Sequence, residues 1–235
     1  LMKKFILTSL LCATFGPIST SLYSKEKAII GKDQRVLSNV PQVGRIFSSY
    51  DSSKVCSAAL IGRTCMVSAG HCKPITKYVS FNTPKSVNSH IRMPKSRDQY
   101  QVDRKSIVSN FIYAGSADWS VFRLKKHRRI SKWTLFWNRH LFPNKPIPEK
   151  YLSPDGYYAG DIQGYYQVSF APIYPYEFIR ITGYGADKRR DRNFSQQTAV
   201  GVITKISPFS VPDGFYHDVD TRQGNSGSGI IKVDT

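Results

Sequence analysis

The sequence predicts an all-β protein, built as a sandwich or a barrel. Short apolar runs, alternating or continuous, recur along the chain with turn residues between them. Composition agrees: 14 Tyr, 13 Phe and 16 Gly with 13 Pro suit strands and turns better than helices. No long segment carries a clear helical period.

The runs are, in chain order, Ala58–Ile61, Cys65–Ser68, Tyr78–Phe81, Trp119–Leu124, Tyr166–Phe170, Phe178–Thr182, Thr198–Ile203 and Gly229–Val233. Gly62 and Arg63 make a turn between the first two. The middle of the chain differs. Lys125, Lys126, His127, Arg128 and Arg129 are followed by Trp133, Phe136 and Trp137, and Pro143, Pro146 and Pro148 then interrupt the chain. A basic stretch with aromatics can stack on single-stranded nucleic acid. It reads more simply as a solvated loop whose aromatics pack under a barrel, and the Tyr-rich stretch Tyr151–Tyr176 reads likewise. The boundary between two halves, residues 25–140 and 141–235, is placed here. A chain of 235 residues, 40% hydrophobic, suits one globular unit or two small subdomains sharing an interface.

Residues 1–24 read as a secretory signal peptide. Lys3 and Lys4 form its basic start, Phe5 to Phe15 its apolar core, and Ser19, Thr20 and Ser21 offer small residues for cleavage. The apolar run is too short to span a bilayer, and no other segment reads as a membrane span. Cys12 lies in this run, but Leu11 is a poor residue before a lipidated cysteine. The mature protein is therefore expected to be secreted or periplasmic. Export permits disulfides and leaves Cys56, Cys65 and Cys72. Cys56 and Cys72 flank one apolar segment and are the expected pair, with Cys65 the odd thiol.

Lys and Arg number 34 against 16 Asp and Glu, a formal charge of +18. This is foremost a solubilising basic surface. It also predicts nonspecific binding to polyanions at low salt.

Three blocks carry chemistry. The first runs from Cys56 to Cys72, with Ser68, Ala69 and Gly70 leading into His71. Small residues allow close backbone approach beside the histidine, and a Cys56–Cys72 bridge would clamp its loop to the neighbouring strand. In the second, Asp118 stands just before the apolar run Trp119–Leu124, where it can orient an imidazole or merely cap a turn. The third is Asp220-Thr-Arg-Gln-Gly224-Asn225-Ser226-Gly227-Ser228-Gly229. Gly224 and Gly227 let the chain turn tightly around Ser226, which would aim the Gly224 and Ser226 amides at one spot as an oxyanion hole. Ile230, Ile231 and Val233 follow and argue for a buried strand, not a flexible linker. The chain order His, Asp, Ser differs from that of subtilisins and α/β-hydrolases.

These blocks resemble the chymotrypsin-fold (trypsin-like) serine proteases, and most closely the bacterial glutamyl endopeptidase branch. Ile29-Ile30-Gly31-Lys32-Asp33-Gln34-Arg35 is similar to that branch's mature N-terminal segment. Gly224-Asn225-Ser226-Gly227-Ser228 has Asn and Ser where trypsin-type enzymes have Asp and Gly. Ile181-Thr182-Gly183-Tyr184-Gly185-Ala186-Asp187-Lys188 is similar to a strand and turn of its second barrel, and Asp220-Thr221 precede the serine as in several members. The similarity covers roughly Ile29 to Thr235 and thins over 81–111 and 125–177.

The resemblance implies two six-stranded antiparallel barrels, the first with His71 and Asp118, the second with Ser226 and incomplete at the C-terminus. It implies a monomeric serine endopeptidase acting on protein or peptide substrates without metal or cofactor. His71 would be general base and then acid, Asp118 its orienting carboxylate and Ser226 the nucleophile. Neutral Asn225 cannot bind a freed N-terminal ammonium as trypsin-type Asp does, which implies another activation route, such as removal of a short propeptide near Lys25–Lys27. Asp220 and Thr221 would line the specificity pocket. Asp220, six residues before Ser226, favours basic substrates by analogy with trypsin-type enzymes. The branch similarity and the +18 charge favour acidic residues before the scissile bond. The chain ends nine residues after Ser226 and a residue precedes Met2, so a fragment is expected, and one that leaves sheet edges open. A weakly active or inactive binding protein or toxin with a basic surface stands as the alternative.

Overall fold

The computed structural model describes residues 29, 31–49, 54–111, 118–130, 152–206 and 214–233. The expected signal peptide, the Lys25–Lys27 site and most of the basic aromatic stretch (131–150) lie outside the described residues.

Strand β1 (Val36–Leu37) belongs to the second sheet, described below. The next six strands are β2 (Val43–Phe47), β3 (Cys56–Leu60), β4 (Cys65–Ser68), β5 (Tyr78–Ser80), β6 (Gln99–Phe111) and β7 (Asp118–Leu124). They close into an antiparallel barrel in the order β2-β3-β4-β7-β6-β5. Alternation explains the closure. In β7, Ser120, Phe122 and Leu124 are buried while Trp119 and Arg123 face solvent, the period-two pattern of a half-buried strand. Ile46, Leu60, Met66, Val79, Phe81, Tyr100, Phe122 and Leu124 fill the interior. In β6 the register with β7 shifts between Asp103 and Val108, a bulge that bends the long strand around the barrel.

Strands β8 (His127–Ile130) and β9 (Leu152–Tyr157) form a separate antiparallel pair. The short helix α1 (Ala159–Gln163) follows. It packs on the first barrel: Gly160 N donates to Arg63 O at 2.9 Å, and Gln163 Nε2 to Asp98 Oδ1 at 2.9 Å. Strands β10 (Phe178–Gly183), β11 (Gln197–Ile206), β12 (Phe215–His217) and β13 (Ile230–Lys232) form the second sheet with β1. Its order is β1-β11-β10-β13, with β12 also on β11. Ile179, Ile181, Ala199, Ile203 and Val219 make its core. Among the described residues this sheet is open.

The closed six-stranded barrel and the second sheet fit the two-barrel architecture implied by the resemblance. One expected strand is absent. Tyr166–Phe170 is irregular and largely exposed, with Phe170 95% exposed. It has strand-like composition but no neighbouring strand; its tie is Tyr166 N to Leu60 O at 2.8 Å. Strands β2 and β6 were hidden by polar content, Arg45 in one and Asp103-Arg104-Lys105 at the bulge of the other. Among the described residues, no helix is long and apolar enough to cross a membrane.

Candidate active site

His71 sits where β4 leaves the barrel. After Ser68 and Ala69 the chain enters a 3-10 turn over Gly70–Ile75. A Cβ on Gly70 would lie 2.1 Å from Asn110 O and 3.0 Å from Trp119 O. Only glycine lets the turn press against the paired ends of β6 and β7. A disulfide joins Cys72 to Cys56 and ties the turn to β3.

Asp118 is the first residue of β7, beside that turn. Both of its carboxylate oxygens reach one residue. His71 N donates to Oδ1 at 2.9 Å, and His71 Nδ1 lies 2.6 Å from Oδ2. An ionised carboxylate can only accept, so Nδ1 carries the proton and Nε2 keeps its lone pair. The backbone bond fixes where the ring is, and the side-chain bond fixes its tautomer. Both side chains stay open to solvent, at 40% and 33% exposure. The Phe111 ring flanks the imidazole, centroids 6.1 Å apart.

Ser226 arrives from the other half of the chain, on a turn bedded against the β3–β4 end that leads to His71. Ser57 N donates to Ser226 O at 2.8 Å. That same carbonyl oxygen lies 3.9 Å from Cys72 Sγ, next door to the histidine. Gly227 has φ +81°, and a Cβ there would fall 2.1 Å from Ser68 Oγ and 2.7 Å from Ala69 N. Ser57 Oγ donates to Gly224 O at 2.8 Å and accepts from Tyr184 N at 2.9 Å. Ser68 Oγ donates to Ser57 O at 2.7 Å. Sequence reasoning named Ser68 only as a small residue beside His71, and passed over Ser57. A small hydroxyl inside a strand gives no signal until the fold shows what it bridges.

Within the turn, Asn225 N donates to Arg222 O and Ser228 N to Asn225 O, each at 2.9 Å. The Gly224 and Ser226 amides have no acceptor among the described residues. The Asn225 side chain is buried, and its Oδ1 has no hydrogen-bond partner among the described residues. Asp220 is 5% exposed, and its Oδ2 accepts from Gln34 N at 2.7 Å. Its carboxylate is thus turned towards the N-terminal segment, while Thr221 is half-buried.

Cys65 is a half-buried free cysteine whose thiol is pushed up by burial, which disfavours the reactive thiolate. Ligand atoms of Cys56, His71 and Cys72 lie within 4.8 Å of one another. The two sulfurs are bonded to each other, so they are not thiolate ligands for a metal.

No family model matches the sequence, and no curated protein matches it. Solved structures do match. A Glu endopeptidase in complex with MPD is 18% identical with a TM-score of 0.58, over 87% of this chain and 82% of that one. The protease Anisep from Arthrobacter nicotinovorans is 13% identical with a TM-score of 0.51, over 86% and 82%. The thermostable serine protease AL20 from an extremophilic microorganism is 13% identical with a TM-score of 0.51, over 83% and 80%. Barrel, second sheet and neighbours together give this chain the fold of the chymotrypsin-like serine proteases.

Proposed function

We propose that the protein is a secreted or periplasmic serine endopeptidase in which His71, Asp118 and Ser226 form the catalytic triad. The observation that carries this reading is the two-point grip of Asp118 on His71, with the Nδ1 bond at 2.6 Å, beside the bedded turn of Ser226. His71 Nε2 takes the Ser226 Oγ proton as Oγ attacks the peptide carbonyl. The Gly224 and Ser226 amides receive the oxyanion, a role supported by their lack of any other described acceptor. The protonated imidazole, held by the Asp118 carboxylate, gives its proton to the leaving amine. Water then hydrolyses the acyl-enzyme by the same steps in reverse. The disulfide supports an oxidising compartment.

Asp220 and Thr221 line the specificity pocket in this reading, which favours Glu or Asp before the scissile bond. The bond from Gln34 N to the buried Asp220 carboxylate weakens the case for Asp220 as a receptor of basic side chains. The +18 charge draws acidic substrates and gives nonspecific affinity for polyanions at low salt. The working form is a monomer.

The test is labelling with a fluorophosphonate probe, followed by cleavage-site mapping on a peptide library. Labelling that disappears in Ser226→Ala, with cuts after acidic residues, supports the whole reading. Cuts after Lys or Arg would overturn the specificity alone. Absence of labelling in a folded protein would overturn the enzyme and favour a binding protein on this fold.

A further inference from the structure

The segment 33–35 grips the loop 220–226 at two places. Gln34 N holds the start of the loop through Asp220. Arg35 reaches its middle indirectly, through Ala186. The Arg35 side chain is 1% exposed, and its Nη1 donates to Ala186 O at 3.0 Å. Ala186 N in turn donates to Gln223 O at 2.7 Å, in the residue just before Gly224. The same Nη1 and Asn225 Oδ1 crowd the Cα of Gly185: a Cβ there would meet them at 2.9 and 2.7 Å. The guanidinium is fixed from behind by two carboxylates. Its Nε and Nη2 bond Asp33 Oδ1 and Oδ2 at 3.0 and 2.7 Å, and Nη2 is 3.3 Å from Asp187 Oδ2. Arg35 beside Asp33 holds that carboxyl below its ordinary value, and Arg222 of the loop adds to the effect. Two carboxylates and a carbonyl offset the cost of burying this cation.

We propose that Arg35 is a positioning residue for the Ser226 turn, holding it in catalytic register through Ala186 and Gln223. The proposal rests on the serine-protease reading of Ser226. The charged group in these contacts is the Arg35 guanidinium itself. Asn225, which offers no charge of its own, needs none. Arginine suits the task because its planar fork meets Asp33 with two bonds while Nη1 still reaches Ala186. A lysine has one compact ammonium and cannot do both.

The experiment compares the full chain with R35M, R35K, D187N and R63M. The last removes a similar but exposed Arg–Asp pair, Arg63–Asp161, between the β3–β4 turn and helix α1. Three readouts are taken on folded protein: fluorophosphonate labelling rate, kcat and KM on a peptide substrate, and amide exchange of Ala186. R35M is expected to lose about 100-fold in labelling rate and kcat, the scale of losing one oxyanion donor. KM changes little, and the Ala186 amide exchanges faster. R35K falls between, D187N loses less than R35M, and R63M matches wild type. A wild-type labelling rate in R35M overturns the proposal. If R35M does not fold, D187N decides, because it leaves the Asp33 pair intact; a wild-type rate there overturns it equally. If wild type itself fails to label, the function is wrong, and Ala186 exchange still tests the clamp. Faster exchange in R35M supports the clamp, and unchanged exchange overturns it.

Discussion

Replacing Gly227 by alanine tests the packing that brings the two halves of the site together. Two costs add. At φ +81° any L side chain is strained, by about 1–2 kcal/mol. The new methyl would also fall 2.1 Å from Ser68 Oγ, 2.5 Å from Ser57 O and 2.7 Å from Ala69 N. Two of those three are backbone atoms and cannot rotate away. Overpacking of this kind costs roughly 1–3 kcal/mol more. Gly31 supplies the control. Its φ is +74°, but nothing lies within 4 Å of a Cβ there, so G31A should show the strain alone. At roughly 2–4 °C per kcal/mol for a chain of this size, G31A should lower Tm by about 2–8 °C and G227A by about 4–20 °C. The difference between them isolates the clash. Relief of the clash is expected to shift the Ser226 turn against the end of β4 that leads to His71, and a shift near 1 Å costs about 100-fold in rate. Thermal melts and fluorophosphonate labelling read both effects. A G227A protein no less stable than G31A, and labelled at the wild-type rate, would refute the reasoning.

Asp118→Asn should slow labelling by about 10⁴-fold through the wrong tautomer of His71. Tm should barely change, because an Asp118–His71 hydrogen bond this open to solvent contributes little to stability; a large fall in Tm with modest loss of rate would contradict this. The Cys56→Ser/Cys72→Ser double variant loses a cross-link between residues 16 apart. That is about 3 kcal/mol, or roughly 6–12 °C in Tm, while thiol titration of the unfolded protein lacking residues 1–24, without reductant, should find the Cys65 thiol as the free one. His217 is pushed below its ordinary value of 6.5 by burial, partly offset by Asp218. The unfolded chain therefore binds the proton more readily. Stability should be full above pH 6.5 and fall as pH drops through the folded value. Urea melts of His217→Gln across that range should show a flatter dependence, and an unchanged slope would exclude His217 as its source.

Sequence reading found the parts of the site that local chemistry encodes. Cys65–Ser68 matches β4 residue for residue, and Trp119–Leu124 matches β7 but for Asp118 at its start. Both are short, mostly apolar runs bounded by turn or polar residues, a signal the sequence carries by itself. The Gly-rich turn around Ser226 was visible because positive φ at Gly224 and Gly227 selects glycine on local grounds alone. Strands with interrupted patterns escaped notice. β2 buries Arg45 among apolar neighbours, and β6 carries its charges at a bulge. Tyr166–Phe170 misled in the opposite direction, since β-propensity cannot supply a missing neighbour strand.

What the sequence alone determined is the all-β class, the cysteines that pair, and the chain order of His71, Asp118 and Ser226. These follow from residue types and their spacing. The tertiary structure alone decided that Asp118 grips His71 at two points, and that Ser57 and Ser68 brace the serine turn. It also decided that Asp220 faces Gln34 and that Arg35 lies buried behind the loop. Each of those contacts except Ser57–Ser68 joins residues more than 40 positions apart. No local pattern records which distant group a buried polar atom will meet, because the partner is chosen by how the two halves pack.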